Sequence, residues 1–277
     1  MIEQCWLFHC GYTMVPEAAV LSGGEPLTKR RLPYLCMLLI HERLGPMLID
    51  APFGHEGPSN LGALLGKMLR STGTVFKPEW AISARIEQLG LRPGHVEHVF
   101  MTHLHFDHTG GMKALSHATF HTCTKEWEHA IGARPFEALR QGYVMGDYRA
   151  LESRMDLMEL PQFFDRYDDG HDIFGDGSVE AFALPGHTVG HTGYRIKLSD
   201  GRRIFHMGDA IYNTDMLRDV DPGPMASISC ANKDDLLFTM QELRRYRELC
   251  PDDIVACSHD FELGEQCFDD PMALHNP

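Results

Sequence analysis

The segment Thr102-His103-Leu104-His105-Phe106-Asp107-His108 places four potential metal ligands within six residues. It follows the apolar run 96–101, which has the composition of a strand, and leads into Thr109-Gly110-Gly111, where a helix can start. Alternate residues at a strand end point the same way. His103 and His105 can therefore converge on one ion, while Asp107 and His108, at the turn beyond, are free to face a second. Four ligands crowded at the mouth of a strand outweigh the bland alternative of surface or helix-capping histidines.

Two ions need more ligands than four side chains supply, and the rest of the chain offers three. His187 sits in Leu184-Pro185-Gly186-His187, Asp209 in Phe205-His206-Met207-Gly208-Asp209, and His259 in Val255-Ala256-Cys257-Ser258-His259-Asp260. A single histidine after a strand is more often structural. Three such ligands in series, each at a predicted strand end with small residues beside it, reverse that expectation.

Further outward, short β-rich runs alternate with helical patterns, as in a chain whose sheets are covered by helices. Strands are predicted at 3–9, 34–41, 47–50, 96–102, 119–122, 179–184, 193–198, 203–207 and 253–257. Helical spacing occurs at 61–70, with Leu61, Leu64, Leu65, Met68 and Leu69 on one face, and at 80–89, 111–115, 125–131, 137–151 and 234–249. Leu44-Gly45-Pro46 and Ser199-Asp200-Gly201 predict turns between successive strands. The stretch 165–176 reads as a solvated acidic loop without the spacing of a calcium-binding loop. With no repeat and no Pro/Ser/Gly linker, residues 1–277 are expected to form a single domain.

Composition excludes several classes. The chain carries 25 basic and 39 acidic residues, a net charge of −14, which opposes binding to a polyanion such as nucleic acid. Its longest apolar run, 34–40, is far short of the roughly 20 residues of a membrane span. No positive charge precedes the first apolar stretch and His9 interrupts it, so a secretory signal is not expected and a cytoplasmic location is. Eight cysteines without a C-x-x-C pair read as reduced thiols, mostly in the core. The compositional oddity is 17 histidines, since histidine is the commonest metal ligand.

Taken in order, His103-Leu104-His105-Phe106-Asp107-His108, Pro185-Gly186-His187, Gly208-Asp209 and Ser258-His259-Asp260 resemble the metallo-β-lactamase superfamily across residues 34–260. The resemblance implies an α/β fold, an αββα sandwich with a dinuclear site between its sheets. It implies that His103, His105 and His187 hold the first metal, that Asp107, His108 and His259 hold the second, and that Asp209 bridges them. Nitrogen and oxygen ligands without thiolate suit two divalent ions, zinc first, with manganese, iron or cobalt also accepted. Two such cations acidify a water between them, well below the bulk pKa of about 15.7, and polarise a carbonyl, so the implied chemistry is hydrolysis by a bridging hydroxide.

Departures from the family's branches narrow the substrate. Class B β-lactamases typically have cysteine or histidine where Asp209 stands. Glyoxalase II enzymes add a helical domain after the last ligand, and the short stretch after His259 is not expected to hold one. The superfamily's nucleases carry a further domain or a basic arm, and flavodiiron proteins have glutamate where His105 stands. Tyr212, three residues after the bridging aspartate, resembles the arrangement in quorum-quenching N-acyl-homoserine lactone lactonases, as do Leu32-Pro33, 45–50, Gly190-His191 and His259-Asp260. By that resemblance the chain opens a small-molecule lactone. The Tyr212 phenol, with a pKa of about 10, hydrogen-bonds the substrate carbonyl or oxyanion, and Asp107 carries the proton to the leaving alkoxide. Asp50 is expected to orient a metal-bound histidine, and His191 to be structural. Phe53, Phe76, Trp80 and Met14 fall near the implied pocket mouth but read as core or lid packing. The alternatives are hydrolysis of a thioester, aryl ester or phosphotriester, or a mononuclear iron persulfide dioxygenase-like oxidoreductase. Pairing of the chain with a second copy is left open.

Overall fold

Strand β2 (Lys29–His41) turns Tyr34, Cys36 and Leu38 to one side and Leu35, Met37 and Leu39 to the other, and all six are buried. A strand covered on both faces reads as a continuous apolar run rather than an alternating one, which is why 34–40 is so uniformly apolar. The computed structural model describes residues 1–57, 71, 73–160 and 170–277. Among these, β2 lies inside an eight-stranded sheet ordered β13 (Met272–His275), β1 (Ile2–Pro16), β2, β3 (Gly45–Ile49), β5 (His98–Phe100), β6 (Thr119–Cys123) and β7 (Met155–Met158), with β4 (Thr74–Val75) paired to β1. A five-stranded sheet runs β12 (Ile254–Ala256), β11 (Arg203–His206), β10 (Thr192–Lys197), β9 (Val179–Ala183) and β8 (His171–Asp172).

Three apolar layers make this an αββα sandwich. Leu35, Met37, Leu39, Met47 and Phe100 of the large sheet pack on Val179, Ala181, Tyr194, Ile196 and Ile204 of the small one. On the large sheet's outer face, Phe8, Leu38, Leu48 and Val99 meet Ile82, Ile86 and Trp127 from helices Ile82–Gln88 and Thr124–Gly132. On the small sheet's outer face, Phe182, Leu184 and Phe205 meet Leu236, Met240, Leu243 and Tyr246 of helix Lys233–Leu249. That helix starts where Asn232 accepts from the amides of Asp234 and Asp235, a cap worth about 1 kcal/mol. Truncating one of these buried leucines, isoleucines, methionines or phenylalanines to alanine costs about 2–5 kcal/mol.

All nine predicted strands are present with shifted ends, while β4, β7, β8 and β13 are additional. These four are short edge or flanking strands, with too few residues for a period to show. The helix predicted at 137–151 is broken into Pro135–Arg140, Met145–Tyr148 and a 3₁₀ turn Arg149–Arg154, because Gly142 takes φ +93° between the first two. The helical pattern at 111–115 is a 3₁₀ turn, Met112–Leu115. The helix predicted at 61–70 and residues 165–169 of the acidic stretch lie outside the described residues. The remainder of that stretch is not simply solvated. Asp172 accepts from the amides of Phe174, Gly175 and Gly177, and Asp176 pairs with Arg43 at 2.7 Å. All eight cysteines are free, with Cys230 and Cys250 half-buried and the rest buried.

Strand direction places the site. β3 and β5 are parallel, β11 and β12 are parallel, and β9 runs with β11 because both are antiparallel to β10. Asp50 follows β3, residues 103–108 follow β5, His187 follows β9, Asp209 follows β11 and His259 follows β12. Hydrogen bonds stitch the sheets at this edge, among them the Thr192 amide to the Thr102 carbonyl and the Tyr194 hydroxyl to the Met101 carbonyl, each at 2.8 Å, and the Leu35 amide to the Ser258 carbonyl at 3.0 Å.

Candidate metal centre

Seven side chains separated by as much as 156 positions in sequence meet at that edge. Ligand atoms of His103, His105 and His187 lie within 4.8 Å of one another, and so do those of Asp107, His108 and His259. Asp209 faces both groups. Its Oδ2 is 3.4 Å from His187 Nε2 and 3.0 Å from His259 Nε2, while Oδ1 is 3.5 Å from His108 Nε2. Asp107 stands at the rim, the one partly exposed member, with Oδ2 3.6 Å from His259 Nε2.

The rear contacts of the histidines show what the front is built to receive. His108 Nδ1 donates to Asp50 Oδ2 at 2.8 Å, and His259 Nδ1 donates to the Pro33 carbonyl at 2.7 Å. Thr102 donates its hydroxyl to Asp50 and lies 3.0 Å from His103 Nδ1, so the hydroxyl oxygen accepts from that ring. With Nδ1 carrying the proton, each of these rings presents an Nε2 lone pair to the centre, the arrangement in which imidazole ligates a cation. His103 Nε2, His108 Nε2 and Asp209 Oδ1 are buried there with no hydrogen-bond partner. Buried polar atoms that converge without hydrogen-bond partners fit divalent cations, and the all-nitrogen-and-oxygen ligand set agrees.

Electrostatics divide the two groups. Burial, reinforced by neighbouring imidazoles, pushes His103 and His187 well below the ordinary histidine range and His105 to about 3. His108 and His259 are as deeply buried, but carboxylates outweigh the desolvation: Asp209, Asp50 and Asp107 raise His108, and Asp209 and Asp107 raise His259. Asp209 is held well below the carboxylate range, since His259 and His108 overcome its burial.

Other expected residues have distinct places. Asp50 does hold His108, from a left-handed φ of +62° that a bulky side chain would resist. Its carboxylate also takes the Thr102 amide, so one residue ties β3 to the ligand loop. His191 is structural in a specific way: its Nε2 accepts the Asp209 backbone amide at 2.9 Å. The Tyr212 ring lies 5.0 Å from His259 and 6.1 Å from His187, centroid to centroid, and its hydroxyl is 3.1 Å from Ser229 Oγ. Phe53 is buried edge-on to Tyr34 and Phe76, and Trp80 packs on His9, Tyr12 and Phe268, as packing residues do. Met14 is half-buried on β1, its backbone amide donating to the Gly73 carbonyl.

Three supporting residues left no motif in the sequence. Thr102 and Ser229 are ordinary hydroxyls until the fold sets them behind His103 and Tyr212. Glu126 is a fully buried carboxylate in the first turn of helix Thr124–Gly132. A glutamate there usually serves its own helix, so no local signal marks it.

The fold and this constellation define a class, and comparison with known proteins agrees. A model of the metallo-beta-lactamase superfamily matches residues 67–259, and the chain belongs to that superfamily. The N-acyl homoserine lactonase AttM of Agrobacterium fabrum is 30% identical over 177 residues, 64% of this chain and 62% of that protein, so the match spans less than two thirds of the relative's length. An N-acyl homoserine lactonase of Bacillus thuringiensis is 22% identical over 96% of both chains. The solved structure of an N-acyl homoserine lactone hydrolase, with the product N-hexanoyl-L-homoserine at its catalytic metal centre, superposes with a TM-score of 0.73 at 20% identity, covering 96% of this chain and 97% of that one. At that identity the superposition speaks for the fold.

Proposed function

We propose that the chain is a metal-dependent hydrolase that opens the lactone ring of N-acyl-homoserine lactones. In this reading His103, His105 and His187 hold one divalent ion, Asp107, His108 and His259 hold a second, Asp209 bridges, and zinc is the native metal. One observation carries the substrate class: the Tyr212 ring stands against one histidine of each set and its hydroxyl lies 3.1 Å from Ser229 Oγ, an arrangement that would let the phenol donate to a carbonyl seated over both sets. The relatives of Agrobacterium fabrum and Bacillus thuringiensis, named as N-acyl homoserine lactonases, agree with it.

When bound, the two ions supply Lewis acidity and an acidified water. The chain's own groups do the rest. Burial holds the Tyr212 hydroxyl well above its usual range, so it is a permanent donor, suited to the carbonyl oxygen as negative charge develops there. Asp107, at the rim, takes the proton of the attacking water and passes it to the ring oxygen as the ring C–O bond breaks. Asp50, Thr102 and the Pro33 carbonyl keep the imidazoles aimed, which spares reorganisation during the reaction. No helix among the described residues is long and apolar enough to cross a membrane, and the free thiols suit the cytoplasm, where we place the protein.

Ring opening produces a carboxylic acid with a pKa near 4, which releases one proton per turnover at neutral pH and is followed with an indicator in weak buffer. The test is a panel on the metal-loaded protein: homoserine lactones of graded acyl length, a simple γ-lactone, a glutathione thioester, an aryl ester and a phosphotriester. The acyl-homoserine lactones are expected to lead. A thioester or phosphotriester turned over tenfold faster than every one of them, about 1.4 kcal/mol in the barrier, overturns the lactonase assignment.

A further inference from the structure

Helix Thr124–Gly132 begins just after β6 and has no side-chain cap. Glu126 in its first turn accepts nothing from that helix. Its donors come from three other segments: the Leu104 amide at 3.0 Å and the Tyr143 hydroxyl at 3.1 Å on Oε1, and the Gly190 amide at 3.1 Å on Oε2. Leu104 is the residue between His103 and His105, and Gly190 lies between His187 and His191. Tyr143 belongs to the same assembly. Its ring meets that of His105 edge-on at 5.0 Å, and the two residues form an isolated antiparallel bridge.

The loop after β5 belongs to the large sheet and the loop after β9 to the small one, so Glu126 joins the two halves of the sandwich between the ligands of a single set. The approach is close. A Cβ on Gly190 would fall 2.2 Å from the Glu126 backbone nitrogen, so residue 190 must be glycine for the amide to reach the carboxylate. An ionised carboxylate can accept all three hydrogens without offering one of its own. Glutamine in its place would set an NH₂ group against at least one of these donors. No cation lies within ion-pair distance of Glu126 among the described residues, so its work is done through these hydrogen bonds.

We infer that Glu126 is a positioning residue that sets the spacing of His103, His105 and His187, and through it the affinity of the first ion, without touching ion or substrate. The inference rests on the assignment of those three histidines to one ion.

The test measures zinc affinity by chelator competition on the full chain, with far-UV circular dichroism and the unfolding midpoint of the metal-free protein alongside. His187→Ala should abolish one of two binding steps and so identify the first ion. Glu126→Gln should weaken that same step about 10–100-fold, the range seen when outer partners of metal ligands are altered. The other step should stay within about threefold of wild type, and the metal-free midpoint should be little changed. Tyr143→Phe, which removes one donor of three, should weaken the same step by a smaller factor.

Wild-type affinity at both steps in Glu126→Gln overturns the clamp, and so does an equal loss at both steps with an unfolded metal-free protein. Should Glu126→Gln not accumulate as folded protein, Tyr143→Phe decides: an unchanged first step there overturns the inference. Two intact steps in His187→Ala would instead overturn the ligand assignment, a different failure from a normal Glu126→Gln beside a deficient His187→Ala.

Discussion

The two proposed ligand sets face one carboxylate, Asp209, at one buried edge, yet the chain prepares them in opposite ways. His103, His105 and His187 are drawn from both sheets, and desolvation keeps them neutral, with His105 near 3. His108 and His259 are surrounded by Asp50, Asp107 and Asp209, which draw protons to them in the absence of metal. The first set is a desolvated pocket of lone pairs whose geometry depends on two loops keeping their distance. The second is a charged network in which, on the proposed reading, a cation would replace protons among carboxylates. Burial alone therefore does not set the state of a histidine; the carboxylates within a few ångströms decide its sign.

The largest effect should come from the group both sets share. Asp209→Ala is expected to lose most of two metal equivalents by elemental analysis, and turnover with them; retention of two equivalents would break the picture of a shared carboxylate. Next, His187→Ala and His259→Ala should each fall from two equivalents to one, and from opposite sets. Loss of both ions in either variant would mean that the sets fill only together.

A smaller effect separates the supports. Asp50→Asn removes the carboxylate behind His108 and should weaken the second ion about 10–100-fold while sparing the first, as read by the same competition assay. Tyr212→Phe should keep both ions and slow turnover by up to about 10²-fold, since it loses one oxyanion donor. Wild-type turnover on the best lactone would return Tyr212 to packing.

The last effect lies beneath the second set and concerns stability alone. Thr109, next to His108, donates to the buried Asp147, whose carboxyl burial raises to about 6. A folded-state value above the unfolded one means that ionising the acid costs stability. The cost grows as pH rises from near 4 to about 6 and is complete above that. Asp147→Asn should remove this slope, so the midpoint of the variant relative to wild type should rise between about pH 4 and pH 7, by the equivalent of roughly 1–3 kcal/mol. A difference that does not vary with pH would show that Asp147 does not titrate there.

Much of this was legible before folding. The ligand run after β5 announced itself because a strand end displays alternate residues together and few other tasks call for His, His, Asp and His so close. His187, Asp209 and His259 were legible for a weaker reason, their recurrence after predicted strands. Asp50 and Tyr212 needed a family resemblance to stand out. The helix predicted at 137–151 failed because apolar spacing records which residues are buried, while Gly142 decides whether the backbone between them stays helical.

What the sequence determined by itself is local and periodic: which runs are strands, which are buried on both faces, and which side chains at their ends can bind a cation. What only the tertiary structure decided is how those ends are held. Thr102 behind His103, the Pro33 carbonyl behind His259, Ser229 beside Tyr212 and Glu126 between the two ligand loops are each common residues whose partners lie far off in sequence. A hydrogen bond depends on distance and direction in space. A polar side chain carries no mark of its partner until two sheets have packed and brought both to the same buried edge.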